Sequence, residues 1–91
     1  MTKEQSAEIR MYSTSWCPDC VRAKMMFKRM KVSFIEIDVD KSKEGLEIVK
    51  KHNNGVRIVP TIFFPDGSVL VEPSNKELKA KISALGLATT N

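Results

Sequence analysis

Polar and apolar residues alternate near the start of the chain, where Glu8 and Arg10 separate Ala7, Ile9 and Met11. That period of two predicts a first β-strand. The period changes after Cys17-Pro18-Asp19-Cys20. Ala23, Met26, Phe27 and Met30 then recur at i, i+3, i+4, i+7, one helical face with Val21 beside it. Pro18 suits the first helical position, where an N–H would lack a partner anyway. Cys17 is therefore expected at the N-cap. Phe34, Ile35, Ile37 and Val39, with Glu36 and Asp38 between them, predict a second strand. A right-handed crossover makes it parallel to the first. Lys43 to His52 reads as a short helix burying Leu46, Ile48 and Val49, with a left-handed cap at Asn53-Asn54-Gly55. Thr61-Ile62-Phe63-Phe64 and Val69-Leu70-Val71 flank Pro65-Asp66-Gly67-Ser68, a hairpin signal. Ser74 and Glu77 form a capping box ahead of Leu78, Ile82 and Leu85, with Gly86 as the stop. The predicted order β-α-β-α-β-β-α is an α/β fold, a four-stranded mixed sheet with helices on both faces.

With 91 residues, the chain has room for one domain, 1–91, with residues 1–6 and 87–91 expected as flexible tails. No apolar run approaches the roughly 20 residues that span a bilayer, so no membrane role is expected. Met1-Thr2-Lys3-Glu4-Gln5-Ser6 lacks the apolar stretch of a signal peptide, which points to the cytoplasm. The net charge is +4, and Arg22, Lys24, Lys28, Arg29 and Lys31 form an acid-free cluster. Only Phe27 is interleaved with it, so the cluster reads as a solvated face or a docking surface, not a nucleic-acid site.

The 2 cysteines are too few for a disulfide-stapled scaffold, and their spacing carries chemistry instead. Only a thiolate attacks a disulfide. At a helix start, Cys17 meets unpaired N–H groups and the positive end of the helix dipole, which favour the anion. Cys20, one turn in, has no free amide and should remain a thiol. A separation of three residues lets it reach the Cys17 sulfur once a mixed disulfide forms. Cys17 is thus the candidate nucleophile and Cys20 the candidate resolving thiol. A zinc site needs four ligands, and this chain offers one histidine, His52, and no second cysteine pair. A metal or iron–sulfur cluster shared between two chains is the alternative, and an inert buried pair is a third reading.

Around the cysteines, Trp16 is expected to shield the thiols and contact partners, while Tyr12 reads equally as a core aromatic. Asp19 opposes ionisation of a neighbouring thiolate, yet it is also a favourable acid in a first helical turn. Pro60 is either the first residue of a strand or a bend that exposes the Val59 backbone to an extended substrate.

Tyr12 closing the first strand, Cys17 to Lys24, Val59-Pro60 and the capped last helix together resemble the glutaredoxin branch of the thioredoxin superfamily, over nearly the whole chain. Tyr12-Ser13-Thr14-Ser15-Trp16-Cys17, Arg57-Ile58-Val59-Pro60-Thr61, Asp66-Gly67-Ser68 and Pro73-Ser74 are most similar to mycoredoxins and related bacterial glutaredoxin-like proteins. The resemblance implies a thioredoxin-like fold and a cis Pro60 facing the dithiol. It implies reduction of protein disulfides, or of mixed disulfides with small thiols, through a mixed disulfide at Cys17. Trp16, Pro18, Asp19, Val59 and Pro60 would form the motif and substrate groove. No bound cofactor is expected; glutathione or mycothiol would be a co-substrate, and a flavoprotein reductase is the alternative electron source. Partners would be disulfide-containing or thiol-mixed-disulfide proteins, met by a monomer. Glutathione-using members usually carry lysine at Thr14, tyrosine at Asp19 and Gly-Gly near Glu72-Pro73. Tyr12, Thr14, Arg57, Ser74 and Asn75 are the candidate contacts to a small thiol, Arg57 as a carboxylate partner and the N–H groups after Ser74 as an anion site.

Overall fold

Ile9 and Met11 point to one side of the first strand and Tyr12 to the other, and this alternation divides the core in two. The computed structural model describes residues 8–86. Ala7 and the expected tails, 1–6 and 87–91, lie outside the described residues. The elements are β1 (Ile9–Ser13), α1 (Pro18–Arg29), β2 (Phe34–Asp38), α2 (Lys43–His52), β3 (Thr61–Phe63), β4 (Val69–Val71) and α3 (Asn75–Ala84). The sheet order is β2-β1-β3-β4. β1 runs parallel to β2, with Tyr12 opposite Ile37, and antiparallel to β3, with Tyr12 opposite Thr61. β4 closes the antiparallel hairpin with Leu70 opposite Ile62.

On one face, Ile9, Met11 and Ile62 pack against Ala23, Met26 and Phe27 of α1 and against Leu78 and Ile82 of α3. The Phe27 ring lies 4.8 Å from that of Phe34. On the other face, Tyr12 and Val39 meet Val49 of α2. A β-carbon on Gly45 would come within 2.8 Å of the Ile37 Cγ2 methyl, so α2 rests on β2 at a distance only glycine permits.

Three local expectations change. Ile48 is 38 % exposed. Val49 and Leu46, three apart, define the inward stripe of α2, and Ile48 lies beside it. Phe64 lies past the end of β3, where its N–H donates to the Ser68 carbonyl at 2.9 Å and closes the hairpin. Val39 likewise follows β2, although its N–H still reaches the Ser13 carbonyl at 2.9 Å. Residues 56–59 form no strand. They are a loop clamped from both sides. Thr61 donates its hydroxyl to the Ile58 carbonyl at 2.7 Å, and the Asn53 amide donates to Thr61 Oγ1 at 3.3 Å. The Glu72 N–H donates to the Pro60 carbonyl at 2.9 Å. These bonds fix the loop that faces the start of α1.

Candidate active site

β1 runs out at Ser13, and Thr14-Ser15-Trp16 carries the chain over the end of the sheet to α1. Cys17 takes extended backbone angles at the N-cap, with Pro18 at the first helical position. Its sulfur does what an N-cap oxygen normally does: Cys17 Sγ accepts the Cys20 N–H at 3.0 Å. Both thiols are free; Cys17 is 5 % exposed and Cys20 is 0 % exposed. The Cys17 thiol points its weak donor at the Val59 carbonyl, 4.0 Å away. The Val59–Pro60 peptide bond is cis.

A groove of about 330 Å³ opens over Cys17. Trp16, Pro18 and Asp19 contribute to it from the α1 end, Arg57, Ile58 and Val59 from the proline loop, and Glu72 from beyond β4. Pro60 is fully buried behind Val59. Five of the residues expected from the sequence therefore meet at Cys17: Trp16, Pro18, Asp19, Arg57 and Val59.

The Cys20 thiol is pushed up to about 12, by burial first and by the hydrogen bond with Cys17 second. The charges of Cys17 and Glu36 push the same way, against a hydrogen bond from the Thr14 backbone. Partial burial would raise the Glu36 carboxyl, but the Ser13 hydroxyl at 2.8 Å and the Lys24 ammonium at 3.0 Å outweigh it and hold Glu36 below its usual range. The sign of the Cys20 effect on stability is definite. An unfolded chain releases this proton near 9.0 and the folded one near 12. Above pH 9 the folded state binds more protons, so stability falls as pH rises through that window, by up to about 1.4 kcal/mol per pH unit. Urea unfolding of the reduced protein from pH 8 to 11 should show this slope, and Cys20→Ala should flatten it. Equal slopes in the two proteins would refute the assignment.

Four of the five candidate small-thiol contacts already touch other residues of the chain. Tyr12 is buried edge-on against Phe63 at 5.5 Å, in the α2 core. Thr14 is 1 % exposed, so its side chain is walled off from solvent. Its Oγ1 has no hydrogen-bond partner among the described residues. Arg57 lies 3.4 Å from Asp40 and 5.5 Å over the Trp16 ring. Ser74 and Glu77 form the complete capping box: the Ser74 N–H donates to Glu77 Oε1 at 2.8 Å and the Glu77 N–H to Ser74 Oγ at 3.1 Å. Asn75 Oδ1 accepts from Arg22 at 2.9 Å, and the other guanidinium nitrogen holds Asp19 at 3.0 Å. Asp19 is thus the partner of Arg22 one turn on, which ties α1 to the start of α3.

Two residues escaped the sequence reading. Asp40 receives the Trp16 indole N–H at 3.0 Å as well as Arg57, and so holds one rim of the groove. Nothing in Asp38-Val39-Asp40-Lys41 sets it apart from an ordinary polar turn. Glu72 was visible only as a departure from Gly-Gly. It sits at φ 49°, in the left-handed region that costs a residue with a β-carbon about 1–2 kcal/mol.

No helix among the described residues is long and apolar enough to cross a membrane. The glutaredoxin family model matches residues 9–70. Mycoredoxin 1 of Corynebacterium glutamicum is 39 % identical over 80 residues, covering 87 % of this chain and 98 % of that protein. Among solved structures, wheat glutaredoxin superposes with a TM-score of 0.67 at 25 % identity, covering 98 % of this chain and 91 % of that one. The thioredoxin-like protein BC3987 gives 0.71 at 26 % identity, over 80 % of this chain and 97 % of that one. With a cysteine pair at a helix start, a cis-proline loop opposite it and a family match over most of its length, the chain belongs to the glutaredoxin family of thiol–disulfide oxidoreductases.

Proposed function

We infer that the protein reduces protein disulfides, or mixed disulfides between proteins and small thiols, by a two-cysteine mechanism. The Cys17 thiolate attacks one sulfur of the substrate. A Cys17–substrate disulfide forms, the substrate S–S bond breaks, and the leaving thiolate takes up a proton. Cys20 then attacks the Cys17 sulfur, passing its proton to the departing substrate thiolate and leaving a Cys17–Cys20 disulfide. The substrate has gained two electrons and the pair has lost two. A small thiol, glutathione or mycothiol, or a flavoprotein reductase returns them.

The observation that carries this reading is the 3.0 Å contact from the Cys20 N–H to Cys17 Sγ at the start of α1, with Cys20 itself fully buried. The amide and the helix terminus stabilise negative charge on Cys17. A buried Cys20 meets no outside disulfide; the sulfur within its reach is that of Cys17. The Val59 backbone beside the thiol offers an extended substrate a pairing edge. The working state is a cytoplasmic monomer with no nucleic acid or membrane partner and no bound cofactor.

The test follows reduction of one mixed-disulfide substrate with glutathione, mycothiol, or a flavoprotein reductase with NADPH as the electron source. Repeated turnover with at least one of them is expected. Failure of all three to return the dithiol form would overturn the mechanism.

A further inference from the structure

Two positions near Cys17 that could receive a carboxylate, Arg57 and the start of α3, already touch a carboxylate of the chain. Arg57 is held by Asp40 at 3.4 Å, and the same carboxylate takes the Trp16 indole at 3.0 Å. A substrate carboxylate reaching Arg57 therefore meets the Asp40 carboxylate on the same guanidinium. At the start of α3, Glu77 accepts the Ser74 N–H at 2.8 Å. Arg22 is divided between Asp19 at 3.0 Å and Asn75 at 2.9 Å. What remains in the groove is the Glu72 carboxylate, for which the described residues provide no ion pair. Its backbone is pinned by the bond to Pro60 at φ 49°, where glycine would be the unstrained residue.

The net charge of +4 acts in the opposite sense, so distance decides. The unpaired cations of α1 begin at Lys28, roughly 16 Å from Cys17 along the helix axis. Physiological salt screens exposed charges beyond about 8 Å. Glu72 shares the groove with Cys17, so its charge dominates there.

The geometry points to a groove that disfavours carboxylate-bearing small thiols and favours polypeptide cysteines flanked by lysine or arginine, with Glu72 setting the preference and Asp40 withholding Arg57. This rests on the exchange chemistry proposed above and names its substrate class. The bond changes are those of the first step: the S–S bond between the substrate cysteine and its partner thiol breaks as the bond to Cys17 forms, and the partner leaves as a thiolate.

The experiment uses mixed disulfides of one chromophoric thiol with four carriers: a short peptide with lysines beside its cysteine, the same peptide with serines, the same with glutamates, and glutathione. Second-order rate constants are measured for the reduced protein at physiological and at high salt. The lysine peptide is expected to react about 3- to 10-fold faster than the glutamate peptide or glutathione at physiological salt, with the ratio shrinking toward one as added salt screens the groove. Glu72→Gly, which suits the backbone at that position, should reduce the ratio about threefold. Asp40→Asn should raise the glutathione rate about twofold to fivefold by releasing Arg57. Glu47→Gln on α2 makes the same change in net charge as Asp40→Asn away from the groove, and should leave the ratio at its wild-type value. Equal rates for all carriers, faster reaction with glutathione, or an unmoved ratio in Glu72→Gly would each overturn the preference while leaving the chemistry standing. Inertness toward all four would overturn both.

Discussion

Replacing Cys17 by serine is expected to bring disulfide reduction down to the uncatalysed background, a loss on the order of 10³-fold or more. Serine has no accessible anion near neutral pH, and the protein offers no second exposed thiol, because Cys20 lies fully buried behind Cys17. Cys20→Ser should give a qualitatively different result. Attack still occurs at Cys17, but no resolving sulfur follows, so the protein accumulates as a covalent adduct with its substrate. Mass spectrometry after quenching with acid reads this directly: adduct on Cys17 in Cys20→Ser, none in Cys17→Ser. A small thiol that releases the adduct would show that Cys20 is dispensable for mixed disulfides and needed for protein disulfides alone. Adduct on Cys20 instead of Cys17 would reverse the assigned roles and refute the mechanism.

Phe27→Ala should cost about 3–5 kcal/mol of folding stability. Phe27 is fully buried where α1 meets the sheet, its ring 4.8 Å from that of Phe34, in one cluster with Met11, Ile62 and Ile82. In a domain of this size each kcal/mol lowers the melting temperature by about 4–8 °C, so the variant should melt at least ~12 °C lower. Thermal and urea unfolding of the reduced proteins would measure it. A cost below about 1 kcal/mol would mean that the α1 face is not the centre of stability.

Much of this site was legible in the linear order of residues. The N-cap position of Cys17, Pro18 at the first helical position and the reach of Cys20 to Cys17 all depend on groups within four residues. The same is true of the Ser74–Glu77 capping box and the left-handed residues Asn54 and Gly55 after α2. The α2 stripe was read one residue too broadly. Leu46, Ile48 and Val49 fit a helical period equally well, and only the position of β2 beneath Gly45 decides which of them turn inward.

The contacts to a small thiol could not be read that way. Tyr12 and Thr14 were expected from the resemblance, Arg57 as a carboxylate partner, and Ser74 and Asn75 for the N–H groups at the start of the last helix. Whether Arg57 and Asn75 are free to bind depends on partners far away in the chain. Arg57 meets Asp40, 17 residues distant, Trp16 meets Asp40 across 24, and Arg22 meets Asn75 across 53. The sheet brings these segments to one end of its strands, where β1, β2 and β4 finish and β3 begins. The two cysteines and their spacing were decided locally, because backbone amides at a helix start act over one turn. The charge left on the groove was decided by the fold, because Asp40 reaches Arg57 only where two distant segments meet.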